Sequence, residues 1–301
     1  QIIVEERLAK PILVGRPAVL ADRIQKYGLR LRLDKDVSVV NPEHDDRFHQ
    51  YWITYWEMMC RRGITKEMSR VEMRRRLTLI GAMLVKLGDA DGMICGTVGS
   101  YGNHLHFVDE VIGHEPGVHL YAAMNILLLD ERTVALADTH INDNPSAEDI
   151  AEITLLAAAE LRRLSIEPKV ALLSRSNFGS GNSASGAKMR HALALIHERN
   201  PALEVDGEMH GDCALDPALR KRILPSTVLD GEANLLICPN ADAGNIAYNL
   251  LKTAAGGNVA VGPFLLGVDA PINILTPSST VRRIVNMAAL TVVDANSMKR
   301  A

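Results

Sequence analysis

Residues Ser174 to Gly186 read Ser-Arg-Ser-Asn-Phe-Gly-Ser-Gly-Asn-Ser-Ala-Ser-Gly, a run of small, hydroxyl and amide side chains with one arginine. Such a run leaves backbone N–H groups open to a ligand, and that is the chemistry of anion binding rather than of bond breaking. Val170 to Leu173 precede it as a short apolar run of the buried-strand kind. Met189, Leu193 and Ile196 follow at helical spacing. Strand, loop and helix in this order predict a phosphate-bearing ligand at the loop. Three partial motifs overlap it. Gly179-x-Gly181-x-x-Ala184, with Glu204 further on, has dinucleotide-fingerprint spacing, but Arg175 to Phe178 stand where the tight turn belongs. Ser185-x-x-Lys188 and Ser183 between glycines imitate nucleophile motifs without their companions.

A second small-residue loop, Gly96 to Gly102, follows the strand-like Met93 to Cys95, so two strand ends are expected to converge on one cleft. Around it lie His104, His106, Asp109, Glu110, His114, Glu115 and His119, without the HxxxH or HExxH spacing of a zinc site; they read as solvated residues. Asp206-Gly-Glu-Met-His210-Gly-Asp212 reads as a polar loop whose carboxylates are weak candidates for a cation. Arg74, Arg75 and Arg76 read as a solvated or salt-bridged face.

These loops need a scaffold, and the chain supplies one. Its 301 residues suffice for one large or two ordinary domains. A net charge of -3, with both signs spread along the chain, gives no reason to expect nucleic acid or membrane as partner. Cys60, Cys95, Cys213 and Cys238 lack CxxC spacing and read as reduced residues of a cytoplasmic protein. A start at Gln1, running at once into strand-like Ile2-Ile3-Val4, reads as a fragment of something longer.

Strands are predicted at Pro11–Val14, Val37–Val40, Leu120–Leu129, Thr133–Ala137, Leu203–Val205, Asn234–Cys238, Val259–Leu266 and Pro271–Leu275. Helices are predicted at Pro17–Tyr27, Asp46–Arg61, Lys66–Leu87, Ala147–Leu164 and, capped by Thr276 to Thr280, from Val281 to about Asn296. Phe48, Tyr51, Trp52, Tyr55, Trp56 and Met59 make an aromatic face for core or subunit contact. Regular alternation argues for an α/β protein with parallel sheet and helices on both sides.

Several blocks in this order carry a family resemblance: Ala9-Lys-Pro-Ile-Leu-Val-Gly15, Gly88-Asp-Ala-Asp-Gly92, Ala137-Asp-Thr-His-Ile-Asn-Asp-Asn-Pro145, the loop from Leu173 to Gly186, Asp206-Gly-Glu208, Ala243-Gly-Asn-Ile246 and Gly262-Pro263. The chain resembles the phosphate acetyltransferase/butyryltransferase family over nearly its whole length. Val281 to Thr291 and the Trp52 to Trp56 region are similar to the C-terminal domain of bacterial NADP-dependent malic enzymes. The resemblance implies a two-domain αβα sandwich with mainly parallel sheets, of the isocitrate/isopropylmalate dehydrogenase-like, phosphotransacetylase type. It places one domain at 1–140 plus 275–301 and the other at 141–274, with an acetyl-CoA cleft between them and a homodimer or higher homo-oligomer.

Departures from the family pattern bear on chemistry. Where active members carry Ser-Arg-Gly and then a base for the CoA thiol, this chain has Thr276, Pro277, Ser278 and Arg283; a further family arginine aligns with His106. A guanidinium stays protonated, so Arg283 cannot take the thiol proton. Losing a general base costs roughly 10²- to 10⁴-fold in rate, and losing an electrostatic donor about 10²-fold more. No catalytic residue or metal is therefore expected in this chain. The resemblance implies an acetyl-CoA-sensing regulatory and oligomerisation domain of a malic enzyme whose NADP and divalent metal (Mg or Mn) belong to a catalytic part elsewhere in the same polypeptide. Ser174, Arg175, Ser176, Gly179, Gly181, Asn182, Asn245, Thr276, Ser278, Arg282 and Arg283 are the expected acetyl-CoA and phosphate contacts. The alternatives are an active phosphate acetyltransferase with its base from His106 or His210, a structural dimerisation module with a vestigial cleft, and an NADP-binding domain on Gly179-x-Gly181.

Overall fold

The structure, a computed structural model, describes residues 1–256 and 260–299. The chain forms two compact units, Gln1–Glu115 with Val268–Ala301, and Pro116–Gly267. In chain order, unit 1 opens with α1 (Ile2–Glu5), β1 (Ile12–Val14), α2 (Pro17–Lys26), β2 (Ser38–Val40) and α3 (Phe48–Met59). It continues with α4 (Lys66–Arg75), α5 (Leu77–Lys86), β3 (Met93–Cys95) and α6 (Tyr101–Val111). Unit 2 holds β4 (Ala122–Leu128), β5 (Thr133–Ala137), α7 (Ala147–Arg163), β6 (Lys169–Leu173), α8 (Ala184–Arg199) and β7 (Glu204–Met209). Then come α9 (Gly211–Leu215), α10 (Pro217–Ile223), β8 (Leu235–Ile237), α11 (Ala241–Ala254) and β9 (Ala260–Leu266). The chain then returns to unit 1 with β10 (Ile272–Ile274) and α12 (Val281–Met298).

Unit 2 is built on one six-stranded sheet in the order β7-β6-β8-β5-β4-β9. The β7, β6, β8 and β5 strands run parallel, so their carboxyl ends and the loops that follow share one edge. Strand β4 is antiparallel to both β5 and β9, and its register with β9 shifts between Met124 and Ile126. This strand also moves the unit boundary. The β4 and β5 strands pair into the six-stranded sheet of unit 2, so the division falls at 115/116 and 267/268 rather than at 140/141 and 274/275.

Unit 1 contains two small parallel pairs, β1 with β2 and β10 with β3. Its core forms where the expected aromatic face packs on α5: Tyr51, Tyr55 and Met59 are buried with Leu79, Ile80, Met83 and Leu84. The predicted single helix 66–87 is two helices, since Arg76 has extended backbone (φ -108°, ψ 93°) and ends α4 while it starts α5. Ile2-Ile3-Val4 is helical rather than a strand, with Val4 N and Glu5 N donating to Gln1 O and Glu6 N to Ile2 O. The predicted strand 259–266 is β9 from Ala260, and Val259 lies outside the described residues.

Helix ends obey local chemistry. A capping box of Ser146 and Asp149 opens α7, with Arg162 and Arg163 at its basic last turn. Asp216 caps α10 ahead of Pro217 at the first helical position. Among the described residues no helix is long and apolar enough to cross a membrane.

The four thiols differ in environment. Burial pushes Cys238 up to about 12, and Cys95, whose sulfur is enclosed although its residue keeps some surface, up to about 12 against a smaller opposing hydrogen bond from Thr78. Burial also raises Cys213, whereas Cys60 is exposed. At pH 8 a thiol reagent is expected to label Cys60 alone in the folded chain, and all four cysteines after unfolding in urea. Mass-spectrometric detection of modified Cys95 or Cys238 before unfolding would contradict this.

Candidate functional site

In unit 2 the loop from Ser174 to Ser183 joins the carboxyl end of β6 to α8, as its composition predicts. Ser183 caps α8 by accepting from Gly186 N at 3.0 Å. Gly186 is required there: a Cβ would lie 2.9 Å from Ser176 Oγ and 3.1 Å from Ser183 Oγ. The loop wraps around Glu208, which is fully buried on β7. One oxygen, Oε1, accepts from Ser176 Oγ (2.7 Å), Arg190 Nη1 (2.8 Å) and Gly179 N (3.2 Å), and the Glu208 carbonyl accepts from Phe178 N at 2.7 Å. Asn177 Oδ1 accepts from His210 N. An internal carboxylate thus already occupies two expected phosphate donors, Ser176 and Gly179. Arg175, Gly181 and Asn182 keep surface, and Ser174 Oγ is buried without a partner.

Residues 206–212 are therefore not the polar loop expected. Asp206 and Glu208 lie in β7 and are buried rather than presented on a loop: Asp206 accepts from Thr227 Oγ1 (2.5 Å), Val228 N and Gly207 N, while Glu208 Oε2 has no hydrogen-bond partner. Among the described residues no group of three or more His, Cys, Asp or Glu could hold a metal ion.

Neighbouring strand ends complete the edge. After β5, buried Asp138 accepts from the N–H groups of Ala123, His140, Ile141 and Asn142 and from Asn142 Nδ2. At the start of α11, Asn240 caps the helix, Asn245 Nδ2 donates to Thr139 O at 3.1 Å, and Gly244 lets the helix press on the Asp138 carbonyl, where any Cβ would collide. Lys188 from α8 spans two of these loops, donating to Pro239 O (2.8 Å) and Asn144 Oδ1 (3.3 Å); burial lowers its pKa against the pull of Asp149. Glu208, Arg190 and Lys188 were not among the expected contacts. For Lys188 the Ser185-x-x-Lys188 spacing was a signal, and for Glu208 the Asp206-Gly-Glu208 block.

Unit 1 carries the remaining expected residues. Strands β3 and β10 are parallel neighbours, Leu275 N donates to Cys95 O at 2.8 Å, and Ser100 and Thr280 cap the helices that follow, α6 and α12. Within the loop after β10 Thr276 N donates to Ser279 Oγ and the hydroxyls of Thr276 and Ser278 lie 3.1 Å apart. Arg282 is exposed, whereas Arg283 is only 5% exposed. His106 points to its own helix, 3.4 Å from Glu110 and beside the Phe107 ring, and takes no bond from Thr276, Ser278 or Arg283. His104, expected to be solvated, bridges Val98 O and Thr78 Oγ1, each at 2.7 Å, and so holds the loop after β3. Arg74 lies over the Phe48 ring and Arg76 pairs with Glu72, in line with a salt-bridged face.

The family described as phosphate acetyl/butaryl transferase matches residues 1–292. The NADP-dependent malic enzyme of Escherichia coli K12 is 51% identical over 297 residues, covering 99% of this chain and 39% of that enzyme. The phosphate acetyltransferase of Corynebacterium glutamicum is 32% identical over 295 residues, covering 97% of this chain and 88% of that protein. A phosphotransacetylase structure from Streptococcus pyogenes superposes with TM-score 0.88 at 29% identity, covering 98% of this chain and 88% of that one. The chain thus spans about two fifths of the length of the malic enzymes it matches.

Proposed function

Because this chain belongs to the phosphate acetyl/butaryl transferase family, we propose that it is the acetyl-CoA-sensing regulatory and oligomerisation domain of an NADP-dependent malic enzyme, with transferase chemistry lost. The observation that carries this is the loop following β10: from Leu275 to Arg283 it contains no carboxylate and no histidine, so no group there can accept a thiol proton. Binding has separate support. The first-turn N–H groups of α8 and the exposed Arg175 suit the phosphates of a coenzyme A thioester, and the edge loops are held by Glu208, Asp138 and Lys188. NADP belongs to the catalytic part: Gly179 stands six residues after the last residue of β6 and its N–H is held by Glu208, so the fingerprint turn is not formed. Exposed Ile246 and Leu250, one turn apart on α11, suit an assembly surface.

Acetyl-CoA would report carbon supply to malate oxidation, with a coupling of about 1–3 kcal/mol between sites. Calorimetry with acetyl-CoA injected in the presence of inorganic phosphate tests the reading. The expected trace saturates and returns to baseline. Steady heat proportional to protein would instead mean acetyl transfer, the reading favoured by the likeness to a phosphate acetyltransferase over most of its length. Absence of any saturable heat would leave a structural dimerisation module.

A further inference from the structure

We propose that the exposed side of α4 in unit 1 is a docking surface for an acidic segment, bearing apolar residues of its own, from the part of the polypeptide outside this chain. Residues 60–76 hold seven Lys and Arg and only two Glu, in a chain whose net charge is -3. The other residues are therefore acidic in balance, and the cations are gathered here. Of the seven, only Arg76 lies in an ion pair among the described residues, with Glu72. Lys66, Arg70, Arg74 and Arg75 are all exposed.

Packing against α3 holds these charges in place. Ser69 and Met73 are the buried residues of α4, and Lys66, Arg70 and Arg74, four residues apart, form one row along its flank. Phe48, Trp52 and Trp56 recur at the same spacing on α3. Lys66 Nζ lies 4.4 Å from the centre of the Trp56 ring, Ser69 Oγ donates to Trp52 O at 2.5 Å, and the Arg74 guanidinium lies 5.1 Å from the Phe48 ring centre. The two helices thus run antiparallel, with a ring under a cation at each end. A cation resting on a ring keeps its donors free and loses little freedom when a carboxylate arrives. Met68 (48% exposed) and Val71 (43%) face outward beside Arg75, and Leu77 (48%) follows. Arginine and methionine among apolar side chains are what interface cores favour. The net negative charge of the chain opposes a nucleic acid or an anionic membrane. An acidic protein segment suits both features, carboxylates toward Arg70, Arg74 and Arg75 and apolar side chains over Met68 and Val71. This choice of occupant rests on the reading above: the chain spans about two fifths of the malic enzymes it matches, and the larger part of such a polypeptide is left to cover the surface.

Cys60, exposed and next to Arg61, reports on this surface. Its labelling at pH 8 is followed by peptide mass spectrometry in the 301-residue chain and in the whole malic-enzyme polypeptide. In the whole polypeptide it is expected to be at least roughly tenfold slower at ~50 mM salt, and to approach the rate of the chain alone near ~1 M salt, where screening is short-ranged. Arg70→Glu combined with Arg74→Glu should abolish the protection at either salt. Circular dichroism checks that this variant folds; Arg70→Gln with Arg74→Gln, expected to lose part of the protection, serves if it does not. Equal rates in the two proteins at low salt overturn the surface, as does protection undiminished in both variants. Protection that appears in the 301-residue chain alone and grows with its concentration overturns the occupant in favour of a second copy. Binding of that chain to phosphatidylserine-containing vesicles, with no protection in the whole polypeptide, overturns it in favour of a membrane. Charge-dependent protection without any saturable acetyl-CoA heat keeps the surface and overturns the sensor reading.

Discussion

Arg220→Met is expected to destabilise unit 2 by about 4 kcal/mol, close to the cost of breaking a buried charged network. Arg220 has no exposed surface, and its guanidinium donates to the carbonyls of Cys213 (3.1 Å), Ala214 (3.2 Å), Leu229 (3.0 Å) and Gly231. It thereby ties the α9 segment to the stretch that leads into β8. Methionine fills much of the volume, so the loss comes from carbonyls left without donors, each costing roughly 1–3 kcal/mol when buried, less what relaxation recovers. Urea unfolding by circular dichroism gives the difference directly. Arg220→Lys should fall between, since one ammonium cannot span four carbonyls. A methionine variant within about 1 kcal/mol of wild type would show that water replaces the guanidinium.

The second large effect belongs to Glu208→Ala. Three donors from three places, Ser176 Oγ, Gly179 N and Arg190 Nη1, converge on its Oε1, and removing the carboxylate leaves two of them without an acceptor. Arg190 is 37% exposed and turns to water, which limits the stability loss to about 2–3 kcal/mol. Binding should suffer more than folding, because the loop that presents N–H groups at the start of α8 loses its inner anchor. Acetyl-CoA affinity measured by calorimetry is expected to fall at least roughly tenfold, equivalent to ~1.4 kcal/mol of lost preorganisation. Glu208→Gln keeps an acceptor oxygen and should bind better than the alanine variant. If Glu208→Ala binds acetyl-CoA as wild type does, the 174–183 loop is not the effector loop, whatever its stability.

These residues also show where the reading of the chain stopped. Glu208 was legible as an acidic position in a recognisable block, but its neighbours in sequence, Gly207 and Met209, say nothing of Ser176 or Arg190. Arg220 gave no signal at all, since an arginine in Leu219-Arg-Lys-Arg222 looks like a solvated basic cluster. Histidines 104 and 106 read alike in the chain, yet one locks a loop and the other faces solvent beside Glu110.

The sequence by itself determined the features whose causes lie within a turn or two. The caps at Ser146, Ser183 and Thr280, the amphipathic periods of α3 and α7 and the strand-loop-helix of β6 and α8 follow from residues close in the chain, and the family from short blocks in order along it. Tertiary structure alone decided the antiparallel course of β4, the unit boundary at Glu115, the four-carbonyl cradle of Arg220, and the use of Ser176 and Gly179 by Glu208 rather than by a ligand. The reason is physical. Caps and periodicity depend on hydrogen bonds and side-chain spacing along one element, whereas Ala122 of β4 pairs with Leu266 of β9 and Ser176 reaches Glu208 32 positions away, contacts that exist only once the strands are in register.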